Sequence, residues 1–400
     1  MKILAVFVTL GFALLLVGVV LAGAGSPAGA SSPSLQETDL APNGEASEVN
    51  LGSDGFLYIS DLTAKRIWRL DPASLSVKQY QLAYNVLDAR PDNAGNVWFT
   101  DGGPTFARLN QVSNTVVYWD VPIMHNLQGL AFDSSGKVWM TEFINFYSKI
   151  YSYEIASTEL CTYTLPLDGS RDGSSQSFYI LSHQDTLWIA NRGEQKIYRL
   201  DPTLNQATWW QIPDSASRPV GIAFDGQGNL WWADDGLGAL ARLEPATDVM
   251  TRFNLPNTTR PKMILPFGGV VWYTAVVKGS PGYLGVLDPL LASGSTRDLI
   301  SHTYPASRHC NLWGAGTPTY VSATPQTPSW SPVSLSLKVN TSAWLVYQLP
   351  TGANPYGLAI ENGNIWITDR LIDGQGRQKL MRLPISAIAK KKIFLPLVLR

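Results

Sequence analysis

The sequence predicts an all-β fold, a seven-bladed β-propeller of four-stranded antiparallel blades. One phrase, Gly228–Asp234 (GNLWWAD), recurs along the chain at intervals of roughly 40–45 residues, the spacing of propeller blades. Gly (34), Pro (26), Trp (14) and Tyr (16) are abundant and only 15% of residues are charged, which favours turn-rich β-structure over helices. The net charge of −1 argues against nucleic acid as a partner, and two cysteines are too few for a cysteine-rich metal site.

The first thirty residues have the composition of a secretory signal. Lys2 precedes an apolar stretch from Ile3 to Leu21, and small residues follow it up to Ala30. We expect residues 1–30 to be a signal peptide, although the apolar run is also long enough for a retained membrane anchor. Residues 31–44 are rich in Ser, Pro, Gly and Ala and predict a flexible lead-in. The mature protein is therefore expected to be secreted or extracytoplasmic, with no membrane contact after signal cleavage.

Each repeat from residue 45 onward divides into four short strands. In the fifth copy we assign strand a to 221–224, strand b to 230–233, strand c to 240–243 and strand d to 250–255, with turns between them. Both faces of each sheet must be buried against neighbouring blades, and the aromatic residue of strand b supplies much of that area. The seven anchors are Tyr58, Trp98, Trp139, Trp188, Trp231, Trp272 and Trp366. They predict a propeller over residues 45–400.

Two segments compete to close the ring. Lys392–Pro396 repeats the strand d phrase, so the C-terminus is expected to complete blade seven. Leu35–Pro42 also resembles strand d, which leaves closure by the N-terminus as the alternative. The basic run Lys390–Lys392 is interpreted as a solvated turn, with a membrane or sorting role as the alternative.

A Pro/Ser/Thr-rich insert interrupts blade six at about residues 291–342. It has no repeat period, so we expect an excursion over one face of the disc. This loop is either functional, or disordered or merely decorative. Cys310 lies in this insert, whereas Cys161 lies in strand d of blade three. A disulfide would require the insert to reach far across the disc, so we expect none.

The repeated phrases resemble those of the streptogramin lyase family, also called virginiamycin B lyases. The resemblance rests on Gly-Asn-Leu-Trp-(Phe/Trp)-(Thr/Ala)-(Asp/Glu), on (Ile/Leu)-x-Arg-(Leu/Ile)-(Asp/Glu)-Pro and on Thr-x-Phe-x-Leu-Pro, over about residues 45–396. It implies a seven-bladed propeller. It also implies Mg²⁺-assisted elimination at an ester of a cyclic depsipeptide, with a histidine base and glutamates on one face. Because a fold does not carry its function with it, each residue must be checked.

The family's histidine base would lie just before the glycine that begins strand a. Across the seven blades that position holds Ser47, Leu87, Gln128, Ser177, Val220, Pro261 and Tyr356. None is histidine, and His125, in the preceding connection, is the nearest to that rim. His125 and Glu142 are therefore the candidates for a base if the protein is an enzyme.

Acidic residues at the ends of strand b form a predicted metal site. A hard cation such as Mg²⁺ or Ca²⁺ prefers carboxylate oxygens, and strand b runs towards the face from which strand a departs. The predicted ligands are Asp101, Glu142, Asp234 and Asp369. The alternative is that each aspartate caps its own b–c turn through backbone hydrogen bonds.

Polar residues at the start of strand a form a predicted ligand site at the channel mouth. Mixed charges on the innermost strands indicate a water-filled mouth, with mutual ion pairing as the alternative. The predicted ligand-binding residues are Glu48, Asp88, Arg90, Gln128, Lys262 and Tyr356. We expect a binding module for a small polar ligand, a glycan or a protein. The alternative is a divalent-metal-dependent lyase or lactone hydrolase.

Overall fold

The computed structural model describes residues 34–42, 44–121, 126–143, 148–165, 176–256, 259–277, 280–314, 317–350, 353–370 and 377–388. The predicted signal peptide and the segment 389–400 lie outside these residues. Within them the chain forms 35 strands and one short helix, α1 (Ile385–Ile388). No helix in this part of the chain is long and apolar enough to cross a membrane.

The strands form seven antiparallel blades, as the repeat predicts. After β1 (Ser34–Pro42), the inner four strands of blades one to three follow in chain order. Blade one is β2 (Ala46–Leu51), β3 (Leu57–Asp61), β4 (Arg66–Leu70) and β5 (Val77–Gln81). Blade two is β6 (Asp88–Pro91), β7 (Asn96–Thr100), β8 (Thr105–Asn110) and β9 (Thr115–Asp120). Blade three is β10 (Asn126–Phe132), β11 (Val138–Phe143), β12 (Lys149–Glu154) and β13 (Glu159–Thr164).

Blades four and five repeat this order, and blade six is interrupted after its third strand. Blade four is β14 (Ser177–His183), β15 (Thr186–Asn191), β16 (Lys196–Asp201) and β17 (Gln206–Gln211). Blade five is β18 (Pro219–Phe224), β19 (Leu230–Asp234), β20 (Ala239–Glu244) and β21 (Val249–Asn254). Blade six begins with β22 (Arg260–Phe267), β23 (Val270–Val277) and β24 (Ser280–Leu287).

The insert in blade six forms seven further strands. They are β25 (Ser295–Asp298), β26 (Ser301–Pro305), β27 (Ser307–Leu312), β28 (Thr319–Tyr320), β29 (Ala323–Gln326), β30 (Ser331–Ser334) and β31 (Ser336–Asn340). The chain then returns to blade six with β32 (Trp344–Gln348). Blade seven contains β33 (Pro355–Glu361), β34 (Asn364–Asp369) and β35 (Arg377–Pro384).

The insert encircles the propeller, and we call residues 295–340 the belt. In chain order, its strands pair with the outer strand of blade five, then four, three, two, one, seven and six. Each blade therefore has five strands instead of the four predicted. The expectation of an excursion over one face was wrong, because the belt satisfies its backbone groups by pairing with the exposed edge of every blade.

The N-terminus closes the ring. Strand β1 pairs with β35 from Gln36↔Arg382 to Pro42↔Arg377 and so occupies the fourth position of blade seven. The prediction that Lys392–Pro396 closes the ring was wrong, because β1 already occupies the outer edge of β35. Ser34–Pro42, placed in a flexible lead-in by its composition, is therefore a strand of the propeller.

A disulfide fastens the belt to blade three. Cys161 of β13 and Cys310 of β27 are directly opposite partners, with Cα atoms 4.0 Å apart, and they are bonded. The expectation of unpaired cysteines was wrong. The belt brings Cys310 across three blades by following the rim of the disc, a route that composition does not reveal.

The a–b turn explains why the same residue types recur in these repeats. Gly95, Gly136 and Gly228 adopt a positive φ of 79°, 83° and 83°, which glycine allows without a steric penalty. In each turn an aspartate that precedes the glycine accepts a hydrogen bond from the strand b indole: Trp98 to Asp92, Trp139 to Asp133 and Trp231 to Asp225, at 2.8–2.9 Å. These indoles are fully buried, as predicted for blade anchors.

Hydroxyl groups near the end of strand b tie neighbouring blades together. Ser60 accepts the backbone N–H of Glu48 (2.9 Å) and donates to the carbonyl of Leu87 in blade two (3.1 Å). Thr100 donates to the carbonyl of Gln128 in blade three at 2.6 Å, and Thr274 donates to that of Tyr356 in blade seven at 3.0 Å. These bonds hold the innermost strands, which line the channel.

Candidate functional site

The start of strand a and the end of strand b lie on one face of the disc. Antiparallel pairing places Ala46 opposite Asp61, Pro219 opposite Asp234 and Pro355 opposite Asp369. Side chains at these two positions in all blades therefore surround the same mouth of the channel. We call this face the mouth face.

Blades one, four and seven each contribute one side chain to a buried hydrogen-bonded group. The Tyr179 hydroxyl is hydrogen-bonded to Oε1 of Glu48 (2.7 Å) and to the Tyr356 hydroxyl (2.9 Å). All three side chains are buried. Each comes from a strand a, so the group joins three blades across the channel.

Two arginines flank this group. Arg90 of blade two pairs with Asp88 at 3.0 Å, and the guanidinium of Arg370 lies 4.2 Å from the centre of the Tyr356 ring. Arg370 also pairs with Glu45 at 3.1 Å. Both arginine side chains keep about a fifth to a quarter of their surface exposed, 24% and 20%. The group thus presents cationic N–H donors to solvent, with carboxylates and hydroxyls beneath them.

Burial sets the ionisation of this group. It raises the pKa of Glu48 from 4.5 to about 7, and the nearby charge of Asp88 adds to this, while the Tyr179 bond, Arg90 and Arg370 oppose it. Burial and the charge of Glu48 raise the pKa of Tyr356 to about 12, and burial raises that of Tyr179 well above its usual value. Both tyrosines are therefore neutral near pH 7, and Glu48 is protonated at a higher pH than an ordinary glutamate.

The structure brings together four of the six residues predicted to bind ligand: Glu48, Asp88, Arg90 and Tyr356. The backbone carbonyl of Gln128 accepts a hydrogen bond from the Thr100 hydroxyl and so helps to join blades two and three. Lys262 lies in a separate ion-pair cluster, with its Nζ 2.8 Å from Asp235. Mutual ion pairing, the alternative considered for the mixed charges, is thus also present.

Tyr179 and Arg370 were missed by sequence reasoning. Tyr179 escaped because the blade-four repeat was aligned one residue too early. Ile180 pairs with Ile189 as Val49 pairs with Ile59, so Phe178, not Ser177, occupies the family's base position. In blade six Ile264 pairs with Tyr273, so that position holds Lys262, not Pro261. The corrected positions still contain no histidine.

Arg370 directly follows the acidic residue that ends strand b. The residues at this position in blades four, five and seven are all charged: Arg192, Asp235 and Arg370. Sequence reasoning singled out the preceding acidic position. The charged residues directly after the end of strand b face the mouth, and this recurring charge was the signal that could have identified Arg370.

The three aspartates predicted to bind metal accept backbone hydrogen bonds within their own blades. Asp101 accepts the backbone N–H groups of Gly103 (2.7 Å) and Thr105 (3.1 Å). Asp234 accepts those of Arg218 and Leu237, and Asp369 accepts that of Asn354. For Asp101 and Asp234 this is the turn-capping role held as the alternative. Asp369 joins the end of its strand b to the residue that precedes strand a.

Glu142 differs from these aspartates because one of its oxygens has no partner. Its Oε2 accepts the Tyr151 hydroxyl at 2.6 Å, and its buried Oε1 accepts no hydrogen bond. Among the described residues, the only group of three metal-ligating side chains is Glu159 with the disulfide-bonded Cys161 and Cys310. Asp101, Glu142, Asp234 and Asp369 form no such group in the described part of the chain, and metal binding by them stays a prediction. His125 lies outside the described residues.

Comparison with known proteins places the fold in a family. The model of the virginiamycin B lyase family matches residues 33–286. A catalytically inactive, histidine-to-alanine variant of virginiamycin B lyase from Staphylococcus aureus, solved with quinupristin, has a TM-score of 0.62 at 18% identity. The match covers 87% of this chain and 99% of that one. A streptogramin B lyase has a TM-score of 0.64 at 18% identity, covering 88% and 98%.

A third structure is the extracellular domain of a candidate one-component system from B. thetaiotaomicron. Its TM-score is 0.56 at 10% identity, covering 88% of this chain and 43% of that one. Comparison with curated protein sequences returns no match. At these identities the solved structures establish the propeller architecture and nothing finer.

Proposed function

The chain belongs to the virginiamycin B lyase family, and from that premise we propose that it is an exported binding module that holds a small polar ligand at the mouth face. The observation that carries the proposal is the convergence of Glu48, Tyr179 and Tyr356 between Arg90 and Arg370. Small-ligand sites combine a few convergent polar groups with a concave surface, and four innermost strands meet here. Export is supported by the Cys161–Cys310 disulfide, which persists in oxidising compartments.

Binding is favoured over catalysis because the family's base is missing at its own position. That position contains Lys262 in blade six and Tyr356 in blade seven, and both are engaged with neighbouring side chains. Burial keeps Tyr356 protonated at neutral pH, so it donates a hydrogen bond instead of removing a proton. The expected ligand carries a hydrogen-bond acceptor or anionic group for the two arginines and a donor for Glu48.

In the test, the mature protein is titrated with monosaccharides, free amino acids, a dipeptide and quinupristin, and calorimetry measures the binding of each. We expect saturable binding of at least one compound, weakened at least tenfold in Arg370→Met and in Tyr356→Phe. Arg199→Met, which removes an arginine from β16, the third strand of blade four, is the control and should bind as the wild type does. The proposal fails if no compound binds, or if the mouth-face variants bind as tightly as the control.

A second candidate function is elimination or hydrolysis at an ester, with Glu48 as the general base. The observation that favours it is the Glu48 pKa of about 7, because a base works best when its pKa is near the operating pH. Participation of Mg²⁺ or Ca²⁺, and of the four carboxylates assigned to it, stays a prediction. Mass spectrometry of quinupristin incubated with the protein and Mg²⁺ checks for ring opening. Ring opening that disappears in Glu48→Gln would establish this candidate and displace the binding module.

A further inference from the structure

Three cations surround one carboxylate on the mouth face between blades four and six. The Asp235 carboxylate lies 2.8 Å from Nζ of Lys262, 3.8 Å from Nε of Arg260 and 3.9 Å from a terminal nitrogen of Arg192. Arg192 and Asp235 directly follow strands β15 and β19, and the other two residues lie in β22. The cluster therefore joins three blades, and none of its residues belongs to the group around Glu48.

The cluster has two more positive charges than it can balance. One carboxylate faces three cations, and it is the carboxylate that is enclosed: its side chain is 3% exposed, against 22% for Lys262, 26% for Arg192 and 66% for Arg260. The surface that solvent meets is accordingly cationic. An anion placed there would gain charge-assisted hydrogen bonds, which are stronger than neutral ones.

The N–H donors of the cluster are only partly engaged. Both guanidinium groups lie beyond hydrogen-bonding distance of Asp235, and Oδ1 of Asp235 is buried without a hydrogen bond. Lys262 uses one of its three donors on Asp235. Asp235 thus holds the cations close together against their mutual repulsion, while leaving donors to bind an oxyanion.

A cleft adjoins the cluster. It has a volume of about 410 Å³ and is lined by Asp235–Gly238, Asn254–Pro256, Thr259 and Arg260. Glycine is required at position 236 because a Cβ atom there would lie 1.9 Å from the carbonyl oxygen of Ala216. The cleft shares Asp235 and Arg260 with the cluster, so a molecule bound to the cations can extend into it.

We propose that Arg192, Arg260 and Lys262 form an oxyanion-binding site, positioned by Asp235, for the carboxylate, phosphate or sulfate group of a ligand whose remainder lies in the cleft between blades five and six. The site does not depend on the binding proposed at Glu48, Tyr179 and Tyr356. It adds a second, anion-selective position on the mouth face.

The test measures the binding of inorganic phosphate, sulfate and acetate by calorimetry and by the shift of the thermal unfolding midpoint. Sodium chloride at matched ionic strength accounts for general screening. We expect one or more of these anions to bind saturably and to raise the midpoint by mass action, with affinity lowered at least tenfold in Lys262→Met and in Arg192→Gln. Arg192 is partly exposed, so the second variant keeps the test valid if the first folds poorly.

Lys137→Met is the matched control. Lys137 has the same side-chain exposure as Lys262, 22%, and also pairs with one carboxylate, that of Glu154. We expect this control to bind the anions as the wild type does. Stronger binding of phosphate and sulfate indicates a tetrahedral anion, and stronger binding of acetate indicates a carboxylate. Shifts no larger than those in chloride, or equal losses in Lys137→Met, would overturn the proposal. A loss in Arg370→Met as large as that in Lys262→Met would overturn it in favour of anion binding at the central group.

Discussion

Glu48 shows how one residue can make this propeller sensitive to pH. Its side chain is enclosed by blades one, two, four and seven, where water cannot stabilise the charge. Residues at the matching position of blades three, five and seven are glycines. Any side chain at Gly221 would place Cβ 2.5 Å from the carbonyl oxygen of Lys262. Space for a carboxyl group therefore exists in only some blades, and Glu48 fills one of these spaces.

We predict that Glu48→Gln stabilises the protein above pH 7. A pKa raised in the folded state means that folding favours the protonated carboxyl. The contribution of the protonated Glu48 carboxyl to the free energy of unfolding is complete below pH 4.5 and is lost as the pH rises through about 7. Over that window wild-type stability should fall relative to the variant by about 3 kcal/mol. Denaturant unfolding from pH 4 to pH 8 measures the difference.

Glu154→Gln is the control for this prediction, because Glu154 lies at the end of β12, the third strand of blade three, and is about a third exposed. This variant measures what replacing an exposed carboxyl group by an amide does to stability over the same pH range. A Glu48→Gln profile parallel to that of the wild type would show that the folded pKa is ordinary.

Thr368 illustrates a residue whose hydroxyl joins two blades. It accepts the N–H of Gly357 at 2.8 Å and donates to the carbonyl of Ser47, closing the contact between blades seven and one. We predict that Thr368→Val destabilises the protein by about 1–3 kcal/mol, because both backbone groups lose a buried partner. Chemical denaturation measures the loss.

Thr115→Val provides the comparison, since it removes a hydroxyl bonded to the exposed Ser113. Its effect should stay within about 0.5 kcal/mol. Equal effects of the two substitutions would mean that the hydrogen bonds of the Thr368 hydroxyl between blades seven and one add nothing to stability.

At the scale of elements, the disulfide fastens the belt to the propeller. It links residues 149 positions apart, and closing so long a loop restricts the unfolded chain strongly. We predict that replacing Cys161 and Cys310 together by alanine lowers stability by about 2–5 kcal/mol. Thermal unfolding with and without reductant measures this.

Reductant should lower the unfolding midpoint of the wild type towards that of the double variant and leave the variant unchanged. If reductant leaves the wild type unaffected and the variant is equally stable, the bond does not form in solution.

At the scale of the whole molecule, the belt covers the outer edge of the blades. Strand edges with unpaired N–H and C=O groups are templates for aggregation, and β25–β31 pair with one blade each. Next to the paired Leu287 and Trp344, the N–H of Asp288 donates to the carbonyl of Ala343 at 2.9 Å, so Asp288 and Ala343 can be joined by a two-residue turn. The belt is thus separable in principle from the ring it surrounds.

We predict that replacing residues 289–342 by Asn-Gly, with Cys161→Ala, gives a folded but aggregation-prone propeller. Circular dichroism should still show β-structure, whereas light scattering should show association that increases with concentration. The double cysteine variant controls for loss of the disulfide. A deletion variant that stays monomeric at the stability of that control would show that the belt is not an edge cover.

The blades themselves were predictable because their signals are local. In the clearest repeats an aspartate, a glycine and a tryptophan within about seven residues build the a–b turn and the strand b anchor, so the repeat is visible without tertiary information. The candidate site was only partly predictable. Glu48, Asp88, Arg90 and Tyr356 were found. Tyr179 was missed because the side-chain pattern misplaced the blade-four register by one residue, and Arg370 because attention went to the acidic residue before it.

The sequence by itself therefore determined the number of blades, their strand order and the polar character of the mouth face. Only the tertiary structure decided which terminus closes the ring, where the insert runs and which charges meet. Leu35–Pro42 and Lys392–Pro396 carry the same strand pattern, and only the pairing of β1 with β35 chooses between them. The belt is held by backbone hydrogen bonds across long separations in sequence, and such bonds require no periodic side chains. For this reason, neither the path of the belt nor the disulfide that depends on it could be predicted from a sequence pattern.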